Sequence, residues 1–338
     1  MATRWLLIAT FGDEERDDPT VIGVGSVPKA MIPLATVLGR GRYLDDVRAV
    51  IARVLASKEK VITLSSDGRR RMIGDPLIAY SGLVHGLYFW MGAPEENPPA
   101  RDPAGAWYFN LTTGKIAGSD DLLDLYGVPA EERRKERNTA EAFERLQTNA
   151  DESAALAKIV RAEPGTLHQA TWTVKRDDDE LRAANFACRM VRQTAEDGSP
   201  EVCLRGITHD IGPADQTPSA PAPLVLAKQV LLAERDPGEH RAIVDLRNFR
   251  LVRWLDDPMP EVAWEADCLY EPAIHPEDLP KAKAMSAALA APGAVVKTLR
   301  LRTIEGDWIP VDVEARLLLL DQLTTAALVT VTASPQGV

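Results

Sequence analysis

Five histidines and three cysteines are the residues of this chain best suited to acid–base, nucleophilic or metal chemistry. The histidines are His85, His168, His209, His240 and His275, and none falls in an H-E-x-x-H pair or beside cysteines and acids at zinc-ligand intervals. Cys188, Cys203 and Cys268 are odd in number and widely spaced, which fits a reducing cytosol and gives neither a disulfide framework nor a zinc site. Gly23-Val24-Gly25 holds two glycines of a dinucleotide loop, but the third is missing and no strand–helix–strand crossover follows. Neither a P-loop nor a G-x-S-x-G elbow occurs. His168 alternates with apolar residues and could reach a cavity, where a histidine can be a proximal haem donor. Cys188 lies in Phe186-Ala187-Cys188-Arg189-Met190, whose alternation puts Phe186, Cys188 and Met190 on one strand face, the cysteine as a small buried hydrophobe.

Length and charge bound what surrounds these residues. A chain of 338 residues is long enough for two or three domains. Its net charge of −11 repels phosphate backbones and anionic bilayers, so neither nucleic acid nor a membrane is an expected partner. The best candidate for a local basic patch, Glu131–Arg137, mixes both signs and reads as a solvated helix face. The N-terminal apolar run is too short for a signal peptide. No stretch offers the roughly 20 apolar residues that span a bilayer; Leu317–Val331 is interrupted by Asp321 and Gln322. A cytoplasmic, soluble protein is expected.

Periodicity then supplies the elements. In 1–95, strands are expected at Trp5–Thr10 and Val21–Val24, helices from Lys29 to Leu38 and from Leu44 to Ala56, and strands at Lys60–Leu64, Arg71–Ala79 and Leu83–Trp90. The Pro-rich Glu95–Gly105 is a connector. In Ala106–Gly127, Trp107, Phe109 and Leu111 alternate as a buried strand face, Thr112-Thr113-Gly114 turns, and Ser119 caps a short helix that Gly127 ends. Helices are expected at Thr139–Leu146 and Glu152–Val160, and strands at His168–Lys175, Leu181–Arg192 and Glu201–Ile211. Gly212–Pro223 is a Pro/Ala/Ser linker, followed by an apolar helix at Leu224–Glu234. Strands at Arg241–Leu246 and Leu251–Leu255, a helix opened by His275-Pro276-Glu277-Asp278, and strands at Val295–Thr303, Trp308–Leu319 and Thr325–Thr332 complete the chain. Turns at Asp67-Gly68, Asp177-Asp178 and Glu305-Gly306 recur at domain-sized intervals, each followed by two strands.

The text of Ala106–Gly127 resembles the opening of PAS domains, W-x-x-D-x-x-T-G and then a serine and a closing glycine, with Asn110 where Asp is usual. Leu204–Ile211 is similar to their L-x-G-x-x-x-D-I terminus, and the H-P-E-D at His275–Asp278 to the start of their helix before the central strands. Pro76-Leu77, Gly82 and His85–Phe89 resemble the closing hairpin of GAF domains. The resemblance implies an α+β fold of three tandem PAS/GAF-like domains, each an antiparallel five- to six-stranded sheet with helices on one face. They divide as a GAF/PAS-like domain at 1–95, a PAS domain at 106–212, a linker and helix at 213–239, and a PAS domain at 240–333. In the central unit, Phe143, Trp172, Phe186, Cys188 and Met190 are expected to line a pocket for a small apolar or aromatic ligand. The implied role is signal sensing or protein docking without catalysis or cofactor. Output would pass to a downstream signalling protein, and a homodimer would form through Leu224–Glu234 or Leu122–Tyr126. A haem- or flavin-bearing redox or gas sensor is the alternative; the N-C-R-F-x-Q helix of light-oxygen-voltage flavin sensors is missing.

Overall fold

The computed structural model describes residues 4–11, 19–39, 41, 43–134, 136–147, 151–195, 197–217, 233, 235–265, 270–289, 293–322 and 324–335. Leu224–Glu234 and Cys268 lie outside these residues, apart from Ala233. The described residues form three antiparallel sheets, of six, six and five strands.

The first sheet comprises β1 (Leu6–Ala9), β2 (Thr20–Val24), β3 (Val27–Pro33), β4 (Val61–Leu64), β5 (Arg71–Ile78) and β6 (Val84–Gly92), in the order β3-β2-β1-β6-β5-β4. Helices α1 (Leu34–Leu38) and α2 (Tyr43–Ser57) intervene. The expected helix from Lys29 is a strand up to Pro33. Pro28 and Pro33 remove amide donors and disfavour helical backbone before them, and Met31 takes a positive φ of 47°. Val47, Val50, Ile51 and Val54 of α2 pack on Ile8, Val21, Leu87 and Phe89, closing one face of the sheet.

The middle sheet comprises β7 (Ala104–Asn110), β8 (Lys115–Gly118), β9 (Arg137–Asn138), β10 (Leu167–Lys175), β11 (Leu181–Thr194) and β12 (Pro200–Pro213), in the order β10-β11-β12-β7-β8-β9. Helix α3 (Asp120–Leu125) starts at Ser119, whose hydroxyl accepts from the Leu122 N–H and also from the Ala106 N–H. It packs so tightly on Gly105 that a Cβ there would lie 2.3 Å from the Leu122 backbone. Its apolar side, expected as a dimer contact, is thus buried on its own sheet.

The last sheet comprises β13 (His240–Asp245), β14 (Arg250–Trp254), β15 (Ala294–Arg302), β16 (Trp308–Leu319) and β17 (Thr325–Ala333), ordered β14-β13-β17-β16-β15. Helix α4 spans Thr139–Glu144, α5 Glu152–Arg161 and α6 Leu279–Ala288. Before α6, His275 Nδ1 accepts from the Glu277 N–H, and buried Asp278 takes the Arg300 Nε–H at 2.8 Å. That guanidinium holds the Asp278 carboxyl well below the usual carboxylate range.

Three sheets resolve into two compact units. The first holds Met1–Thr112, Ala117–Lys135 and Glu163–Pro221; the second holds Thr113–Ile116, Glu136–Ala162 and Ala222–Val338. In the first, the two sheets share one layer built from Trp5, Leu7, Ile73, Tyr88 and Trp90 on one side and Ala104, Ala106, Ala187 and Ile207 on the other. Small residues from the middle sheet let the aromatic side chains of the first lie between. Gly86 is required in that layer, since a Cβ would come within 2.4 Å of the Ile8 carbonyl and of Ile207.

The helices expected to roof the middle sheet, α4 and α5, fall in the second unit, where α4 packs on β14. Asn138 caps α4 in a reciprocal box with Glu141, and its amide donates to the Trp264 carbonyl. Glu152 of α5 pairs with Arg253 of β14, each side chain only 11% exposed, and Arg161 meets Asp321 at 3.1 Å. Removing one member of a buried ion pair strands the other charge. Arg253→Ala is therefore expected to lower stability by about 3 kcal/mol in urea unfolding, while Arg316→Ala, at a side chain 62% exposed, changes it by less than about 0.5 kcal/mol.

Candidate ligand-binding face of the middle sheet

The side chains of an antiparallel ladder that stand directly opposite one another share a face. In β10 and β11, Trp172 is opposite Ala184, Ala170 opposite Phe186, and His168 opposite Cys188. In β11, β12 and β7, Met190 is opposite Leu204, and Leu204 opposite Phe109. One face therefore carries Trp172, Phe186, Cys188 and Met190 together, with His168, Leu204 and Phe109 beside them. Gly105, under α3, is on the same face, opposite Thr208. The opposite face carries Ala187 and Ile207 into the layer shared with the first sheet.

Ring geometry gives this face its character. Trp172 and Phe186 meet edge to face at 5.4 Å and 71°, and His168 tilts toward Phe186 at 6.2 Å. Trp172, Cys188 and Met190 are 1%, 3% and 2% exposed, whereas Phe186 and His168 are half-buried. Aromatic rings with a thioether and a thiol make this wall polarizable and apolar. Four of the five expected pocket residues share this wall. Phe143 is buried on α4 in the second unit. Leu204 and Phe109 join by register alone, which no motif marks.

A second feature lies where the first and middle sheets pack. His85 of β6 is wholly buried, its Nδ1 3.2 Å from the Gly206 carbonyl, and its Nε2 has no hydrogen-bond partner among the described residues. His209 of β12 is 1% exposed and stands over Gly23 of the first sheet, and among the described residues its Nδ1 likewise has no hydrogen-bond partner. Burial lowers both imidazoles to about 4, against the Gly206 carbonyl at His85 and Asp102 and Asp210 at His209, which favour the charged form. Arg205 adds to the depression at His85. The approach of His209 Nε2 to Asp102 at 4.0 Å is accordingly a neutral contact at pH 7 and no ion pair. Among the described residues, no group of three or more His, Cys, Asp and Glu side chains is placed to hold a metal, and no helix is long and apolar enough to cross a membrane.

Comparison with known proteins follows this architecture. Profiles of the Rv3651-like N-terminal, middle and C-terminal domains match residues 4–100, 103–210 and 224–336. The chain belongs to the Rv3651-like proteins. It is similar over 99% of its length to the crystal structure of an uncharacterised Mycobacterium tuberculosis protein, at 26% identity and a TM-score of 0.85, covering 97% of that chain. A sensory box histidine kinase/response regulator from Burkholderia thailandensis E264 matches 40% of this chain and 88% of its own at 18% identity, with a TM-score of 0.25. An RNA-binding light-oxygen-voltage receptor matches 68% of this chain and 95% of its own at 12% identity, with a TM-score of 0.26. Scores of that size carry no argument for a shared architecture. No curated protein matches the sequence.

The two histidines set a pH dependence. Unfolded, each titrates near the ordinary imidazole value of 6.5, and folded, near 4, so between those values the unfolded chain binds more protons. Their contribution is complete above about pH 6.5 and declines as pH falls toward 4, on the order of 3 kcal/mol for each. Urea midpoints of the wild type should fall steeply over this range and those of His209→Gln less steeply. Equal slopes would place the titration elsewhere.

Proposed function

We propose that this protein is a cytoplasmic regulatory component that takes a small apolar or aromatic ligand against the Trp172–Phe186–Cys188–Met190 wall and signals by docking to other proteins, with no reaction of its own. The observation that carries the reading is the gathering of these four side chains, with His168, on one face of the middle sheet. All three sheets also share one circuit, with the first strand between the second and the last. Together with the openings at Ala106–Gly127 and His275–Asp278, this supports PAS-type modules serving as sensors or docking platforms.

His168 on the same face favours one alternative, a haem-bearing sensor with that imidazole as donor. An absorption spectrum of the purified protein divides the two: a Soret or flavin band favours the cofactor-bearing form, and a colourless protein the first reading.

The wall itself is tested with indole as a probe. Isothermal titration should show saturable binding that Phe186→Ala weakens by about tenfold, or ~1.4 kcal/mol. Mass spectrometry of the denatured protein should also release a small apolar molecule retained from the host. The absence of both indole binding and a retained molecule would contradict the proposal.

A further inference from the structure

The outer edge of the first sheet is set up to receive a strand. Among the described residues, β4 is the last strand on that side and pairs with β5 alone. At the hairpin between them the Ser65 N–H donates to the Arg70 carbonyl at 2.7 Å. Bonded and non-bonded pairs alternate along an antiparallel ladder, so this bond sets the phase. Thr63 with Met72 and Val61 with Gly74 are the pairs that exchange hydrogen bonds with β5; Ile62 and Leu64 are the pairs that do not. Their N–H and C=O groups point away from the sheet, two donors and two acceptors on an open edge.

The same two residues expose their side chains, 53% each, although Val61 between strand and helix is buried. Ile62 stands opposite Ile73, so the exposed pair prolongs the apolar layer that contains Ile73 past its covered part. Exposed main chain and exposed aliphatic side chains thus coincide on one short strand.

Charge narrows what can add there. Arg69, Arg70 and Arg71 follow β4 after the Ser65–Gly68 turn, in which Asp67 Oδ1 accepts from the Arg69 N–H at 3.0 Å, with Arg71 opposite Leu64. Among the described residues, no carboxylate pairs with any of these guanidinium groups. Lys60, at the other end of the strand, is neutralised by Asp75 at 3.2 Å. This local excess of positive charge stands out on a chain whose net charge is −11. Charge on an edge strand blocks indiscriminate pairing, and positive charge with nothing to neutralise it admits an acidic strand. A second copy's β4 would bring the same three arginines to the seam, and like charges oppose that pairing.

We propose that β4 binds an extended, acidic segment of another protein by strand addition. Main-chain bonds to Ile62 and Leu64 would hold it, apolar side chains would cover theirs, and carboxylates would meet Arg69–Arg71. This deepens the docking half of the proposed function and is independent of the ligand wall, so either can fail alone.

The test is fluorescence anisotropy of the full chain with a labelled ten-residue peptide alternating Val and Glu. Saturable binding is expected, weakened by at least about tenfold by R69E/R70E and equally by N-methylation of alternate peptide amides. Thermal melts of R69E/R70E, whose substituted residues lie at the β4–β5 turn with Arg69 exposed and Arg70 half-buried, report that the variant remains folded. Lack of binding by the unmodified peptide would overturn the proposal. So would unimpaired binding of the N-methylated peptide, or equal binding of polyglutamate, RNA or phosphatidylglycerol vesicles, because charge alone would then account for the surface.

Discussion

Burial of the middle sheet on both faces is the constraint from which the rest follows. β12 runs from Gly206 to Ile211 without an exposed residue, because one set of its side chains enters the layer shared with the first sheet while the other lies among Trp172, Phe186 and Met190. A strand buried on both sides has to satisfy its polar groups internally. Asp210 does so through Arg182, whose Nε donates to Oδ2 at 3.0 Å. His85 and His209 do so only in part, and being neutral is the condition on which they can stay. One face of the sheet packs on the first sheet, and the other buries the aromatic and sulfur-bearing side chains.

The second unit obeys the same logic with different means. Its sheet has its own helix, α6, and also α4 and α5 from earlier in the chain, held by Glu152–Arg253, Asn138 and Arg161. A buried ion pair is poor evidence of stability but good evidence of a fixed position, since neither charge tolerates losing the other. Residues that family profiles place in the middle domain thereby fold as part of the C-terminal unit.

Much of this plan was legible in the sequence, and its omissions have physical causes. Alternation in Trp107, Phe109 and Leu111, the Ser119 cap and the H-P-E-D turn are local signals, and the elements they mark stand within a residue or two of expectation. Val27–Pro33 misled because its apolar spacing is helical, while Pro28 and Pro33 decide the backbone. Phe143 was expected beside Trp172 because the two are close in sequence order within one domain; which sheet a helix joins depends on long-range burial that periodicity does not encode. The unneutralised charge of Arg69–Arg71 escaped notice because its lack of partners is a three-dimensional fact, whereas Glu131–Arg137 attracts attention by composition alone. The mixed-sign run proves to hold Arg133 against Asp120 and Asp124.

The division of the middle sheet into a packing face and a proposed binding face is open to direct measurement through its two cysteines. Cys203 is wholly buried on the packing side, its sulfur 3.0 Å from the Tyr108 hydroxyl and its thiol pushed up by burial, whereas Cys188 belongs to the wall of Trp172 and Phe186. Peptide-mapped labelling of the native protein with methyl methanethiosulfonate, a reagent small enough for a ligand cavity, should modify Cys188 well before Cys203, and added indole should protect Cys188. Equal inertness of both thiols until the protein unfolds would show both faces to be solid core and would contradict the account.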